Sequence, residues 1–225
     1  MTAFGIVLLA AALLMIGALA TRRKPKLPSH VQVVEDLIWA SGDRKLRAIE
    51  EEVERAVRAA TGPVLLVAHF PDLLRELREI AGRHGSGDLV RAVLGRDLSP
   101  EAARAAPLDE SALMEILVAE RHPHPVTDRR VMEFASQLPC RVRTTHHLSL
   151  EDPLFELFGA ERIRNVMKSL GHEEDEVISH ALVTRSVRRA QDRVEREARG
   201  PGDEPAESAG EWLASNLPGR MAGGG

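Results

Sequence analysis

Two histidine pairs and one short charged string are the residues of this chain whose types could do chemistry. His122-Pro-His124 and His146-His147 offer four imidazoles, a side chain that suits zinc. Glu120-Arg121-His122 is followed by Asp128, six residues after the histidine. Each has a plainer reading. No cysteine or carboxylate accompanies the histidines at a recognised ligand spacing. Neighbours on a strand also point to opposite faces, so His146 and His147 are not expected to chelate one ion. No metal site is assigned. Asp128 is expected to cap a helix or to pair with Arg121. Cys140 has no positioned base, and no Gly-x-Ser-x-Gly elbow exists. There is no Gly-x-x-x-x-Gly-Lys-Ser/Thr loop, nor even a Gly-Lys pair. No catalytic residue is assigned.

Composition narrows the frame. The 225 residues suffice for one medium domain with accessory segments, and a hydrophobic fraction of 44% suffices for an ordinary core. Aromatics make up 3%, with no tyrosine, so aliphatic side chains must fill that core. The net charge of −4 argues against a general nucleic-acid binder, which carries a basic surface. A single cysteine excludes an internal disulfide and a cysteine-rich zinc site.

The elements that must position these residues follow from periodicity. Ala3 to Ala20 is a run of 18 residues without charge. As a helix it reaches about 27 Å, close to the bilayer's apolar thickness. Ala18-Leu-Ala20 resembles a signal-peptide cleavage site, but Arg22, Arg23, Lys24 and Lys26 follow the run rather than precede it. The expectation is an uncleaved transmembrane anchor (1–21) and a basic linker (22–30). The rest of the chain is then cytoplasmic, as a single-pass protein of the inner membrane. Val31 to Leu37 reads as a strand or a helix entry. Arg44 to Ala60 is an amphipathic helix with Leu46, Ile49, Val53 and Val57 on one face. After Thr61-Gly-Pro63, Val64 to Ala68 is a continuous apolar run, as in a strand covered on both faces. Asp72 to Ala81 is helical, Leu89 to Leu94 a strand, and Ser99-Pro100-Glu101 a capped helix start. Leu113 to Ala119 and Arg141 to His147 read as strands, with a helix over Thr127 to Gln137 between them. This alternation predicts an α/β fold with a parallel sheet. Helices are expected over 151–159, 160–170 and 182–199. Residues 200–225 are expected to be a disordered tail, in which Glu211 to Leu217 either docks on a partner or returns Trp212 to its own domain.

Several stretches resemble the second motor domain of the SecA protein-export ATPase family and the start of its scaffold helix. They are Asp36-Leu-Ile-Trp39, Gly62-Pro-Val-Leu-Leu-Val67, Ile80-Ala-Gly82, Val118-Ala-Glu-Arg-His122 with Asp128, and Leu148-Ser-Leu-Glu-Asp-Pro-Leu-Phe-Glu-Leu-Phe-Gly159. The segment from Glu161-Arg-Ile-Arg-Asn-Val-Met-Lys-Ser-Leu-Gly171 to Leu182–Gln191 tracks the family nearly residue by residue. The resemblance covers about Asp36 to Glu197 and is thin between Gly85 and Ala112. It implies a RecA-like, helicase C-terminal-like domain of the P-loop NTPase fold over 31–159 and a helical extension over 160–199. It also implies that Glu120, Arg121, His122 and Asp128 face a residual nucleotide cleft.

The departures are as informative. Where the family carries phosphate-reaching arginines, the gapless register places Met132, Phe134 and Gln137. None of these supplies the forked positive charge of an arginine finger. The family's Asn-Met-Ala-Gly-Arg-Gly-Thr-Asp motif has no counterpart, and neither have the first motor domain and the preprotein-crosslinking domain. The resemblance therefore implies a non-catalytic pseudoenzyme without cofactor. It would be a membrane-anchored module that binds a protein partner, the translocon or SecA itself. Two alternatives stay open: half of a split ATPase completed by a separate chain, and a histidine-based metal-binding protein.

Overall fold

The structure is a computed structural model that describes residues 27–84, 89–158, 176–178, 181–200, 202 and 204–217. Its centre is a parallel sheet. β1 (Val31–Val33) and β2 (Leu37–Trp39) both pair with β6 (Arg141–Ser149), one behind the other along the same edge. β5 (Leu113–Val118) flanks β6 on its other side, followed by β3 (Val64–Ala68) and β4 (Val90–Leu94). The order β1-β6-β5-β3-β4 and the flanking helices meet the α/β expectation.

β3 is buried at all five positions, as a strand covered on both faces must be. Its alternate residues sort into two cores. Val64, Leu66 and Ala68 pack with Ile49, Val53 and Ala56 of α1 (Gly42–Ala59) and Leu74, Leu77 and Ile80 of α2 (Pro71–His84). Leu65 and Val67 pack with Ala103 of α3 (Pro100–Arg104) and Val131, Phe134 and Ala135 of α4 (Pro125–Gln137). Each layer is thus one helix face against one sheet face.

Local chemistry sets the boundaries. The Ser41 hydroxyl caps α1 by accepting from Arg44 N (3.2 Å), and Ser99 caps α3 by accepting from Ala102 N (3.1 Å). α1 ends at Ala60, which takes a left-handed conformation (φ 48°). Gly62 follows with φ 145°, and a Cβ there would lie 2.3 Å from the Leu113 carbonyl oxygen. Only glycine lets the chain pass that close to β5.

A third core sits beyond the C-terminal ends of the strands. Ile38, Phe70, Leu148 and Leu150 meet α5 (Pro153–Phe158) through Leu154 and Phe155 and α6 (Ala181–Glu197) through Val187, Ala190 and Val194. α7 (Ala209–Asn216) completes it with Trp212, which is fully buried. Over 204–217 this corrects the expectation of a disordered tail; residues 201, 203 and 218–225 lie outside the described residues. Ala209, Trp212 and Leu213 give that short helix an apolar face, and its Ser208 cap accepts from Glu211 N. Of the two fates open to Trp212, return to its own domain is the one observed. The helix expected over 160–170 lies outside the described residues.

The single-pass localisation in the inner membrane also requires correction. Among the described residues no helix is long and apolar enough to cross a membrane. The longest, α1, has 18 residues and carries charged side chains along its length. The apolar run 3–20, on which the anchor expectation rested, lies outside the described residues.

Candidate functional site

The polar residues at the strand ends form one buried network. Glu120, Arg121 and His122 follow β5 directly, and Asp128 sits in the first turn of α4. The sequence-assigned residues thus come together, and of the two plain readings of Asp128 the pairing with Arg121 is the one observed; the cap of α4 is His124. Arg121 Nη1 donates to Asp128 Oδ2 (3.1 Å), and His122 N–H donates to Asp128 Oδ1 (3.1 Å). Arg121 Nη2 reaches Asp36 Oδ1 at 2.6 Å, between β1 and β2. Gln191 of α6 closes the arrangement: its Nε2 donates to Asp128 Oδ2 (2.6 Å) and to the His122 carbonyl (2.8 Å). Glu120 turns the other way, where one carboxylate oxygen accepts from His69 N (2.8 Å) and Phe70 N (3.1 Å). It thereby ties the end of β5 to the end of β3.

Burial sets the charges. It would raise the Asp128 carboxyl, but Arg121, and His69 after it, hold the group well below the usual carboxylate range. Glu120 has no such cation in contact, and burial pushes it up to about 7 against partial opposition from His69 and Lys45. Burial, reinforced by His69, pushes His122 down to about 3. His146 falls well below the ordinary imidazole value through burial and the nearby Arg121 charge. Both imidazoles are therefore neutral at pH 7.

Sequence reasoning missed Asp36, His69, Gln191 and Trp212 as members of this site. His69 Nε2 lies 3.1 Å from Asp128 Oδ1, off the line a hydrogen bond needs. The His122 ring stacks on Phe70 (centroids 4.9 Å apart) and meets Trp212 edge-on (5.1 Å). His69 had a signal: a polar residue directly after a buried parallel strand stands where α/β sheets present ligand-facing groups. Gln191 and Trp212 had none, because their roles depend on how α6 and α7 return to the sheet.

The histidine pairs do not converge on a metal. His146 and His147, each 1% exposed, face different neighbours. His147 takes a hydrogen bond from Trp39 Nε1 at Nδ1 (3.3 Å) and lies 3.1 Å from Glu52 Oε2 through Nε2. The Trp39 donor fixes the proton on Nε2, which donates to Glu52. Beside it, Arg143 Nη2 bonds Glu115 (2.7 Å) and Glu52 (3.4 Å), and Lys45 pairs with Asp152 (2.7 Å). Among the described residues neither ring nitrogen of His146 has a hydrogen-bond partner; its Nδ1 is 4.0 Å from Asp36 Oδ1. Among the described residues, no three histidine, cysteine or carboxylate side chains form a metal-binding group.

The positions that the resemblance aligns with arginines serve packing and surface contacts. Phe134 is in the α4 core, Met132 packs against it, and Gln137 accepts from Arg104 (2.9 Å).

No protein-family model matches the chain. It is similar to the protein translocase subunit SecA of Chlorobium phaeovibrioides, 36% identical over 120 residues, covering 53% of this chain and 12% of that protein. For the SecA 1 subunit of Chlorobium chlorochromatii the match is 29% over 198 residues, 75% of this chain and 19% of the relative. For the SecA of Chlorobium phaeobacteroides (strain DSM 266) it is 44% over 80 residues, 36% and 8%. The chain thus spans between 8 and 19% of the length of these relatives. The solved C-terminal part of the Fun30 ATPase domain matches with a TM-score of 0.36 at 14% identity, covering 68% of this chain and 54% of that one. A likeness of that size carries no argument.

Proposed function

We propose that this chain, a relative of SecA related to one part of that protein, is an accessory module in protein export that binds a protein partner and does not hydrolyse ATP. The observation that carries this reading is the closure of the strand-end network. Asp128 is engaged by Arg121, the His122 N–H and Gln191, and Arg121 is divided between Asp36 and Asp128. A carboxylate held ionised by a guanidinium and two further donors is a poor general base. A guanidinium locked between two carboxylates is not poised for a developing phosphoryl charge. The sequence adds that this chain carries no phosphate loop. On this reading the sheet is a helicase-like RecA fold kept as scaffold, with the former cleft converted into an internal brace. The partner is SecA or another component of the translocation machinery, by analogy with the relatives.

The test uses the purified full chain. ATP hydrolysis is measured with Mg²⁺, alone and mixed with purified SecA, and capture of SecA and of translocon components is measured with and without ATP. Expected are no turnover attributable to this chain and ATP-independent capture. Hydrolysis on mixing with a separate phosphate-loop polypeptide, lost in an Arg121→Ala variant, would replace the accessory reading with that of a split motor.

A further inference from the structure

The helix α6 has two sides of different chemistry. Val187, Ala190, Gln191 and Val194 are buried, against the third core and the brace. With 3.6 residues per turn these four positions share one side of the helix. On the opposite side Arg185, Arg188, Arg189 and Arg196 fall within an arc of about 100°. All four are exposed, and Asp192 is the one carboxylate inside that arc. The helix has no lysine.

Three observations separate this stripe from an ordinary solvated helix face. First, exposed arginines of this fold commonly sit on a carboxylate: Arg83 on Glu50 (2.8 Å), Arg104 on Glu101 (3.0 Å) and, on α6 itself, Arg193 on Glu197 (3.0 Å). Among the described residues nothing pairs with Arg188, Arg189 or Arg196, although Asp192 stands within about one turn of each. Second, Arg185 has like charges three and four residues on, at Arg188 and Arg189, a spacing that destabilises a helix. The stripe is therefore a local cationic field on a chain whose net charge is −4. Third, the stripe is held in place from behind. Gln191 on the buried side donates to the His122 carbonyl and to Asp128, so the helix is pinned to the brace.

We propose that this stripe is the docking face for an acidic helix of a protein partner, gripped by Arg188, Arg189 and Arg196. The proposal rests on the reading of the chain as a partner-binding module and names the face that binds. Arg189 and Arg196 lie about 10.5 Å apart along the axis, at about 1.5 Å per residue. A partner helix with carboxylates repeating every three to four residues presents negative charge at the same pitch. Guanidinium forks take carboxylates bidentately, which an ammonium cannot do. From Arg185 to Arg196 the stripe holds no apolar side chain, so the contact is electrostatic and sensitive to salt. The lack of an aromatic stacking platform and the Asp192 carboxylate at the centre favour an acidic protein over a nucleic-acid strand.

The experiment titrates the intact full-length chain into a labelled synthetic helix that carries glutamates along one face, its glutamine counterpart, and a short DNA duplex. Binding is read by fluorescence anisotropy at low and at physiological salt. Expected is saturable binding of the glutamate helix, weaker at the higher salt, and none of the glutamine helix. The triple variant Arg188→Glu, Arg189→Glu, Arg196→Glu should weaken it by about tenfold or more, since three exposed contacts worth severalfold each are reversed in sign. The control is Arg78→Glu, Arg91→Glu, Arg96→Glu. It makes the same change in charge on α2, on β4 and in the turn after β4, at exposed arginines that also pair with nothing among the described residues. It should stay within about threefold of the parent, the scale of a general charge effect. All six positions are exposed, so the unfolding midpoints should stay at the parent value. Absence of saturable binding, equal losses in the two triple variants, or tighter binding of the duplex than of the glutamate helix would overturn the proposal. Capture of purified SecA separates it from the export reading. SecA captured equally by the parent and the stripe variant would overturn the stripe and keep the export reading. Stripe-dependent binding of the glutamate helix without capture of SecA would support the stripe and remove SecA as the partner.

Discussion

Two polar networks lie on the same β6 strand and differ in how completely they are satisfied. Facing α1, His147 has a partner at each ring nitrogen, and Arg143 spans Glu115 and Glu52. Facing the strand ends, one residue away, His146 has no hydrogen-bond partner among the described residues at either nitrogen. Asp36 Oδ2, Thr144 Oγ1 and Trp212 Nε1 are buried and unbonded as well. Unsatisfied buried groups cost about 1–3 kcal/mol each, so the strand-end side carries a penalty that the α1 side does not. The α1 side is scaffold. The strand-end side keeps polar groups that the scaffold does not need, around a brace that holds them in place.

The comparison can be broken most sharply at Asp128. Asp128→Ala leaves Arg121 with only Asp36 and leaves the Gln191 amide with only the His122 carbonyl. We expect a loss of about 3–5 kcal/mol in urea unfolding, the scale for breaking a buried ion pair from one side. A loss under about 1 kcal/mol would mean that the brace is not a structural unit.

Next in size is the pH dependence of Glu120. Its folded-state value of about 7 stands above the ordinary 4.5. A carboxyl raised on folding contributes stability that is full below the unfolded value and is lost as pH rises through the folded one. The difference in stability between the parent and Glu120→Gln should therefore shift against the parent between about pH 4.5 and 7, by on the order of 3 kcal/mol. His122 and His146, lowered on folding, work in the opposite sense: their contribution is present above the unfolded imidazole value and is lost as pH falls. Taking the difference between the two proteins cancels them. A flat difference would place water at Glu120.

The two neighbouring histidines supply the finer contrast. His147→Leu should cost about 1–3 kcal/mol by stranding the Trp39 N–H and leaving the Glu52 carboxylate without its imidazole donor. His146→Leu should lie within about 0.5 kcal/mol of the parent or stabilise it, since an orphaned polar ring is exchanged for an apolar side chain. Equal losses at both positions would erase the distinction between the two sides.

Much of this was legible from local sequence. The apolar run Val64–Ala68 announced a doubly covered strand, and Ser99-Pro100 announced a helix start, because the cause lies within a few residues. The pairing of Arg121 with Asp128 was legible for the same reason. The rest of the site joins residues far apart in the chain. Arg121 and Asp36 are separated by 85 positions, and Gln191 and Asp128 by 63. No periodicity encodes such a meeting. The tail was misread because Gly- and Pro-rich flanks dominate its composition, while the docking energy resides in Trp212 and Leu213.

The placement of β1 and β2 against β6 has a consequence in time. Trp39 must wait for His147, 108 residues later, before its edge of the sheet can close. At a synthesis rate of roughly 5–20 residues per second, that delay is about 5–20 s on the ribosome. During this interval the central strands can begin to assemble while the opposite border of β6 does not yet exist. The amino-terminal edge is thus the last part of the sheet to be sealed, and a nascent-chain binder would find it open longest.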